Sequence, residues 1–140
     1  MVKINYYELV EYLKNILNNH PLVFQTYINK IPTNNIIYTN IYLLFLNVEM
    51  YDTHKTANFR IVYNDILNVE NDNELEIINT GTIVLREIIN TIRQNKSIKL
   101  GNGDLLTTLN FGYNDNADKI VSVNCDIPIS YNDIGKCYVI

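Results

Sequence analysis

The chain has 140 residues, a length that suits one domain with a single core and no staples. Hydrophobic residues make up 47% and charged residues 19%, which excludes a disordered chain. The net charge of −4, with no basic cluster denser than Arg93, Lys96 and Lys99, excludes a nucleic-acid binder that works through phosphate contacts, and two cysteines exclude a disulfide framework.

Leu9, Val10, Leu13, Ile16 and Leu17 recur at helical spacing, with Glu8, Glu11, Lys14 and Asn15 on the opposite face. This predicts an amphipathic helix over Asn5–Asn18, capped by Asn5 and ended before Pro21. Leu22–Ile28 reads as a short strand, and the polar stretch after it as a turn. The longest apolar run lies within Ile36–Met50, and its β-rich composition predicts a buried central strand over Ile41–Met50. In Ala57–Leu67, Phe59, Ile61 and Tyr63 alternate with Arg60, Val62 and Asn64. That predicts an antiparallel partner joined through a loop at Asp52–Thr56.

The segment NELEIINTGTIVLREIINTIRQ predicts a second helix with a buried stripe of Ile78, Leu85, Ile88, Ile89 and Ile92. Asp72 or Asn73 suits an early start and Thr80 a later one, and Gly81 weakens the first turns. NKSIKLGNGD reads as a loop. Leu105–Tyr113 and Lys119–Ile127 read as the two arms of a C-terminal β-hairpin. Residues 129–140 read as an irregular tail whose apolar end, CYVI, is expected to dock on this chain or on a neighbour. The expectation is one domain over residues 1–140 of the α+β class: an antiparallel or mixed sheet with two main helices and a C-terminal hairpin. No secretory leader is expected at Met1–Tyr12, which carries Lys3, Glu8 and Glu11, and no apolar run approaches the length of a membrane span.

The hairpin turn, Asn114 to Lys119, begins like a calcium loop, with oxygen ligands at Asn114, Asn116 and Asp118. Its sixth position is Lys119 where glycine is needed, and its twelfth is Cys125 where a bidentate glutamate is needed. Asp115 and Asp118 read as turn residues at an exposed tip, without the apolar cleft that separates the pKa values of a catalytic carboxylate pair. His20 and His54 stand in or beside loops with no nucleophile motif nearby. No metal, cofactor or catalytic residue is expected. The 11 tyrosines are the more telling feature, because tyrosine is large, stiff and amphipathic and is enriched at interfaces. Tyr113, Asp115 and Asp118 at the hairpin, with Tyr131, Tyr138 and Ile140 in the tail, are the candidate contact residues.

The order of elements carries a resemblance that no single motif does. A helix precedes two core strands; Asp65 closes the second, and Asn73–Glu76 leads into the next helix. Asp118 then stands in the final hairpin, which runs to Cys125–Pro128. The chain resembles the tail-terminator and neck-connector proteins of tailed bacteriophages, in the small α+β form found in phages of Bacteroides-like hosts. The usual glycine and tryptophan of the hairpin are replaced here by Lys119–Val121. The resemblance spans Asn5–Pro128. It implies a virion structural protein without catalysis, assembled in the bacterial cytoplasm into a homo-oligomeric ring of six or twelve copies at the head–tail junction. It also implies portal, connector or tail-tube proteins as neighbours, and DNA passing through the channel without specific binding. An acidic subunit suits that passage, since it repels phosphates. The alternative is a small cytosolic protein-binding module of the immunity or antitoxin kind, for which an acidic surface would meet a basic partner.

Overall fold

The computed structural model describes residues 3–68, 70, 72–100, 108–114 and 119–132, with 113 and 114 described by backbone alone. The chain is α+β. In order it forms α1 (Tyr6–Asn18), β1 (Gln25–Ile28), β2 (Asn40–Met50), β3 (Lys55–Ile66), α2 (Glu74–Arg93), β4 (Ile98–Leu100), β5 (Leu109–Asn114) and β6 (Ile120–Tyr131). The strands make one mixed sheet in the order β1-β2-β3-β6, and β4 and β5 share the far side of β6. The pair β1–β2 is parallel; every other pairing is antiparallel, including the β2–β3 and β5–β6 partnerships expected from the sequence.

The helices lie on the face to which alternate strand residues point. β3 contributes Ala57, Phe59, Ile61 and Tyr63, and β6 contributes Val121, Val123, Cys125, Ile127, Ile129 and Tyr131, all buried. They meet Leu9, Leu13 and Leu17 of α1 and the stripe of α2 that runs from Ile77 through Leu85 to Ile92. α1 starts as expected, with Asn5 Oδ1 accepting the Glu8 amide at 2.8 Å. The other face of the sheet is polar. Arg60 forms two bonds with Asp126 at 2.7 and 3.1 Å, and Thr56 and Ser130 hydroxyls meet at 2.9 Å. The Arg60–Asp126 pair is about half exposed, so it contributes at most about 1 kcal/mol.

Four expectations are corrected. The central strand is β3, which is paired along its whole length to β2 and β6. β2 is not buried throughout: its first residues are, but Leu46–Met50 is exposed. This half of the strand runs past the helices, and a β-bulge between Phe45 and Asn47, which inserts Leu46, re-phases it. Asn47 and Glu49 then join the polar face, opposite Asn58 and Thr56, and Val48 and Met50 fall on the helix side beyond the cover of the helices. Second, the segment read as a loop after α2 contains β4, whose three residues pair with Ile129–Tyr131. Third, the tail does not begin at residue 129, because β6 continues to Tyr131; the rest of the tail, from 133, lies outside the described residues. Pro128 does not stop β6, since it falls between the stretch paired to β5, which ends at Cys125, and the stretch paired to β4, which starts at Ile129.

The fourth correction concerns α2. Gly81 is not simply a weak point in its first turns but a place where the helix lies close against the sheet. A Cβ there would stand 2.7 Å from Tyr63 Cδ1 and 2.8 Å from Val123 Cγ2. The helix starts at Glu74, and Asn73 receives it through its carbonyl, which accepts the Ile77 amide at 3.0 Å.

Candidate functional site

The hairpin and tail residues singled out in the sequence do not gather into a site among the described residues. Asp115, Asp118, Tyr138 and Ile140 lie outside those residues. The backbone of Tyr113 pairs with Val121 in the β5–β6 ladder. Tyr131 is corrected from contact residue to core residue. It is 1% exposed, because the inward alternation of β6 carries on through it to the strand end, where it pairs with Lys55 and Ile98.

The two histidines occupy different places. His20, just past α1, lies beside a concavity of ≈ 450 Å³ between the helices. Its Nδ1 accepts the Leu22 amide at 3.2 Å, which puts the ring proton on Nε2, 2.6 Å from Glu87 Oε2. The imidazole is 8% exposed and the carboxylate 57%. With its only acceptor nitrogen committed to a backbone amide, the ring cannot also accept a proton from a substrate in this geometry. The pair clips the chain after α1 to the middle of α2. Sequence gave no hint of it, since 67 residues separate the partners. Among the described residues no group of three His, Cys, Asp or Glu side chains is placed to hold a metal ion, and no helix is long and apolar enough to cross a membrane.

His54 belongs to the turn of the β2–β3 hairpin. Its ring stacks on Tyr51 at 4.7 Å, and the Tyr51 amide donates to the His54 carbonyl at 2.9 Å. The Tyr51 hydroxyl donates to Glu49 Oε2 at 2.7 Å, and Asn58 Nδ2 donates to Oε1 at 2.9 Å. These bonds, the Tyr51 one foremost, hold the Glu49 carboxyl below its ordinary pKa, and the Glu49 partner raises the Tyr51 phenol. The hairpin end is therefore internally braced although it stands in solvent. Behind it, Tyr6, Phe45 and Phe59 form an aromatic cluster with centroids 6.0–6.1 Å apart, which ties the first turn of α1 to the sheet where the bulge begins. Past that cluster Leu46, Val48, Met50 and Tyr51 are exposed, Met50 to 78%.

The opposite end of the sheet differs. Phe24 is 72% exposed, and its amide donates to the carbonyl of Thr39, just before β2. With Pro21 and Leu22 it rims a cleft of ≈ 290 Å³ also lined by Tyr63, Ile77, Asp65 and Glu76. Eleven residues of β2 separate the two ends, roughly 33 Å at strand rise. The sequence did carry a signal for the exposed arm, which went unread: Asn47 and Glu49 alternate with Val48 and Met50, the pattern of a strand with one polar face. The arrangement supplies an exposed apolar arm and a half-polar cleft at opposite ends of the sheet, and Glu49, Tyr51, His54, Thr56, Asn58 and Ser130 line a polar concavity of ≈ 340 Å³ at the arm end. Neither protein-family models nor curated protein sequences match the chain.

Proposed function

We propose that the chain is a virion structural protein of a tailed bacteriophage that closes with copies of itself into a six- or twelve-membered ring at the head–tail junction, as a tail terminator or neck connector, and performs no catalysis. The observation that supports the assembly is the unlikeness of the two ends of the sheet: an exposed apolar arm at Met50 and a cleft at Phe24 whose lining is half apolar and half polar, with Asp65 and Glu76 beside Tyr63 and Ile77. A cyclic ring joins one surface of each subunit to a different surface of the next, so its subunit needs two unlike patches, whereas a two-fold dimer needs one. The phage setting rests on the sequence resemblance, and the net charge of −4 suits a channel through which DNA slides. The commitment of both His20 nitrogens supports a structural role for the histidine beside the concavity between the helices.

Light scattering behind a sizing column, across a range of concentrations and in the presence of a phage portal or tail-tube platform, tests this. The expected result is a closed species of six or twelve subunits. A chain that never self-associates, even on such a platform, and instead binds a basic protein one-to-one would overturn it in favour of the immunity- or antitoxin-like module.

A further inference from the structure

Resting on that ring reading, we propose that the β2–β3 arm of one copy docks into the Phe24 cleft of the next, so that the sheet axis runs from subunit to subunit. Three independent features of the chain point to a second copy as the occupant. The first is shape. The arm presents the exposed side chains of Leu46, Val48, Met50 and Tyr51, and the cleft is concave, with Tyr63 and Ile77 beside Asp65 and Glu76 and with Leu22 and Phe24 at its rim.

The second is charge. Among the described residues, the arm end carries Lys3, Lys55, Arg93, Lys96 and Lys99 against Glu8, Glu49 and Asp52. Their placement follows from topology: Lys55 and Lys99 pair with the end of β6, Lys3 bridges to Asn132, and α2 runs back from the cleft end to finish at Arg93. At the cleft end stand Asp65, Glu70, Asp72, Glu74 and Glu76 against Lys119. A basic end facing an acidic end steers and registers head-to-tail contacts, and it opposes contacts of like ends.

The third is area. At about 200 Å² per full side chain, Leu46, Val48, Met50 and Tyr51 leave roughly 400 Å² of arm surface in water. One side of a standard protein interface buries about 800 Å², of which a little over half is apolar, so the arm matches the apolar share of one such side. Because the same chain carries both the knob and its complement, no second protein is needed to cover either.

Analytical ultracentrifugation of the wild type, Met50→Asp, Phe24→Asp and an equimolar mixture of the two variants tests the docking. Both substitutions fall on exposed side chains, so circular dichroism and melting should match the wild type. Met50→Asp keeps its cleft and Phe24→Asp keeps its arm. Each variant alone should be monomeric where the wild type assembles, and the mixture should form a dimer of one copy each and nothing larger. Added salt should weaken both the wild-type assembly and that dimer. Rings that persist unchanged in either variant, or a mixture that stays monomeric, would overturn the docking pair while leaving the ring reading intact. A wild type that stays monomeric up to about 1 mM, the weak limit of specific association, would overturn the docking pair, and the ring reading would then be decided by the measurement on the platform.

Discussion

β2 and β3 are the two strands of one hairpin, yet they live in different environments. β3 alternates buried and half-buried residues from Thr56 to Asn64, with paired strands on both sides and α2 above. β2 starts the same way at Asn40–Leu43 and then leaves its cover: from Leu46 to Met50 every residue is exposed. Propensity does not separate them, since Leu46, Val48 and Met50 are as apolar as their counterparts on β3. The reach of the helix cover does, since Val48 and Met50 face the helix side after the bulge and are still exposed. The comparison teaches that burial and exposure have been divided between adjacent strands, with the aromatic cluster of Tyr6, Phe45 and Phe59 at the boundary.

The largest expected effect lies on the covered side. Phe59 is fully buried and touches both other rings of the cluster. Phe59→Ala should destabilise the fold by about 3–5 kcal/mol in urea unfolding, through lost burial plus the cavity left behind. Met50→Ala, nine residues earlier on the exposed arm, should change stability by less than about 0.5 kcal/mol. Similar losses at the two positions would erase the distinction between core and arm.

A smaller effect is expected at Gly81, where the helix is pressed on the sheet. Alanine gains about 1 kcal/mol of helix propensity but costs about 1–3 kcal/mol in overpacking, because Tyr63 and Val123 are buried and have little room to yield. The net result should be a loss of up to about 2 kcal/mol, seen as a lower melting temperature for Gly81→Ala. A rise would mean that the covered side of the sheet is less tightly closed than these distances imply.

The same contrast explains what could be read in advance. The cap of α1 by Asn5, its end before Pro21, and the alternation of β3 follow from local rules, and so the α+β order was visible in the sequence. A continuous apolar run in β2 records composition and not which residues are covered; that depends on how far the helices reach over the strand, and the bulge at Leu46, set by pairing to β3, decides only which side chains face them. β4 is three residues long and exists only because the end of β6 offers it a partner. Tyr131 reads as a contact residue because it stands in a stretch that looks irregular, and the stretch is a strand because β6 continues past Pro128, which falls in the gap between β5 and β4. The arm and the cleft, the surfaces that carry the functional reading, are brought to opposite ends of the molecule by topology, which no residue pattern near either of them states.

The smallest effect bears on whether the arm is an ordered surface or merely an exposed one. Glu49 accepts bonds from Tyr51 and Asn58, and its folded pKa lies below the ordinary carboxylate value. A carboxyl group depressed in the folded state stabilises that state above its unfolded pKa, and the contribution is lost as the pH falls through the folded value. The bracing of the hairpin end should therefore hold at neutral pH and open only below the usual carboxylate range, with no measurable change in global stability because the group is fully exposed. Carboxyl chemical shifts followed by NMR should place the Glu49 midpoint low in the wild type. In Tyr51→Phe, which removes the bond that lowers it most, the midpoint should rise toward the ordinary value. If the midpoint did not move, Tyr51 would not be held over Glu49 in solution. The arm would then lack the fixed shape that a partner cleft must read, and the difference between the two strands would be one of exposure alone.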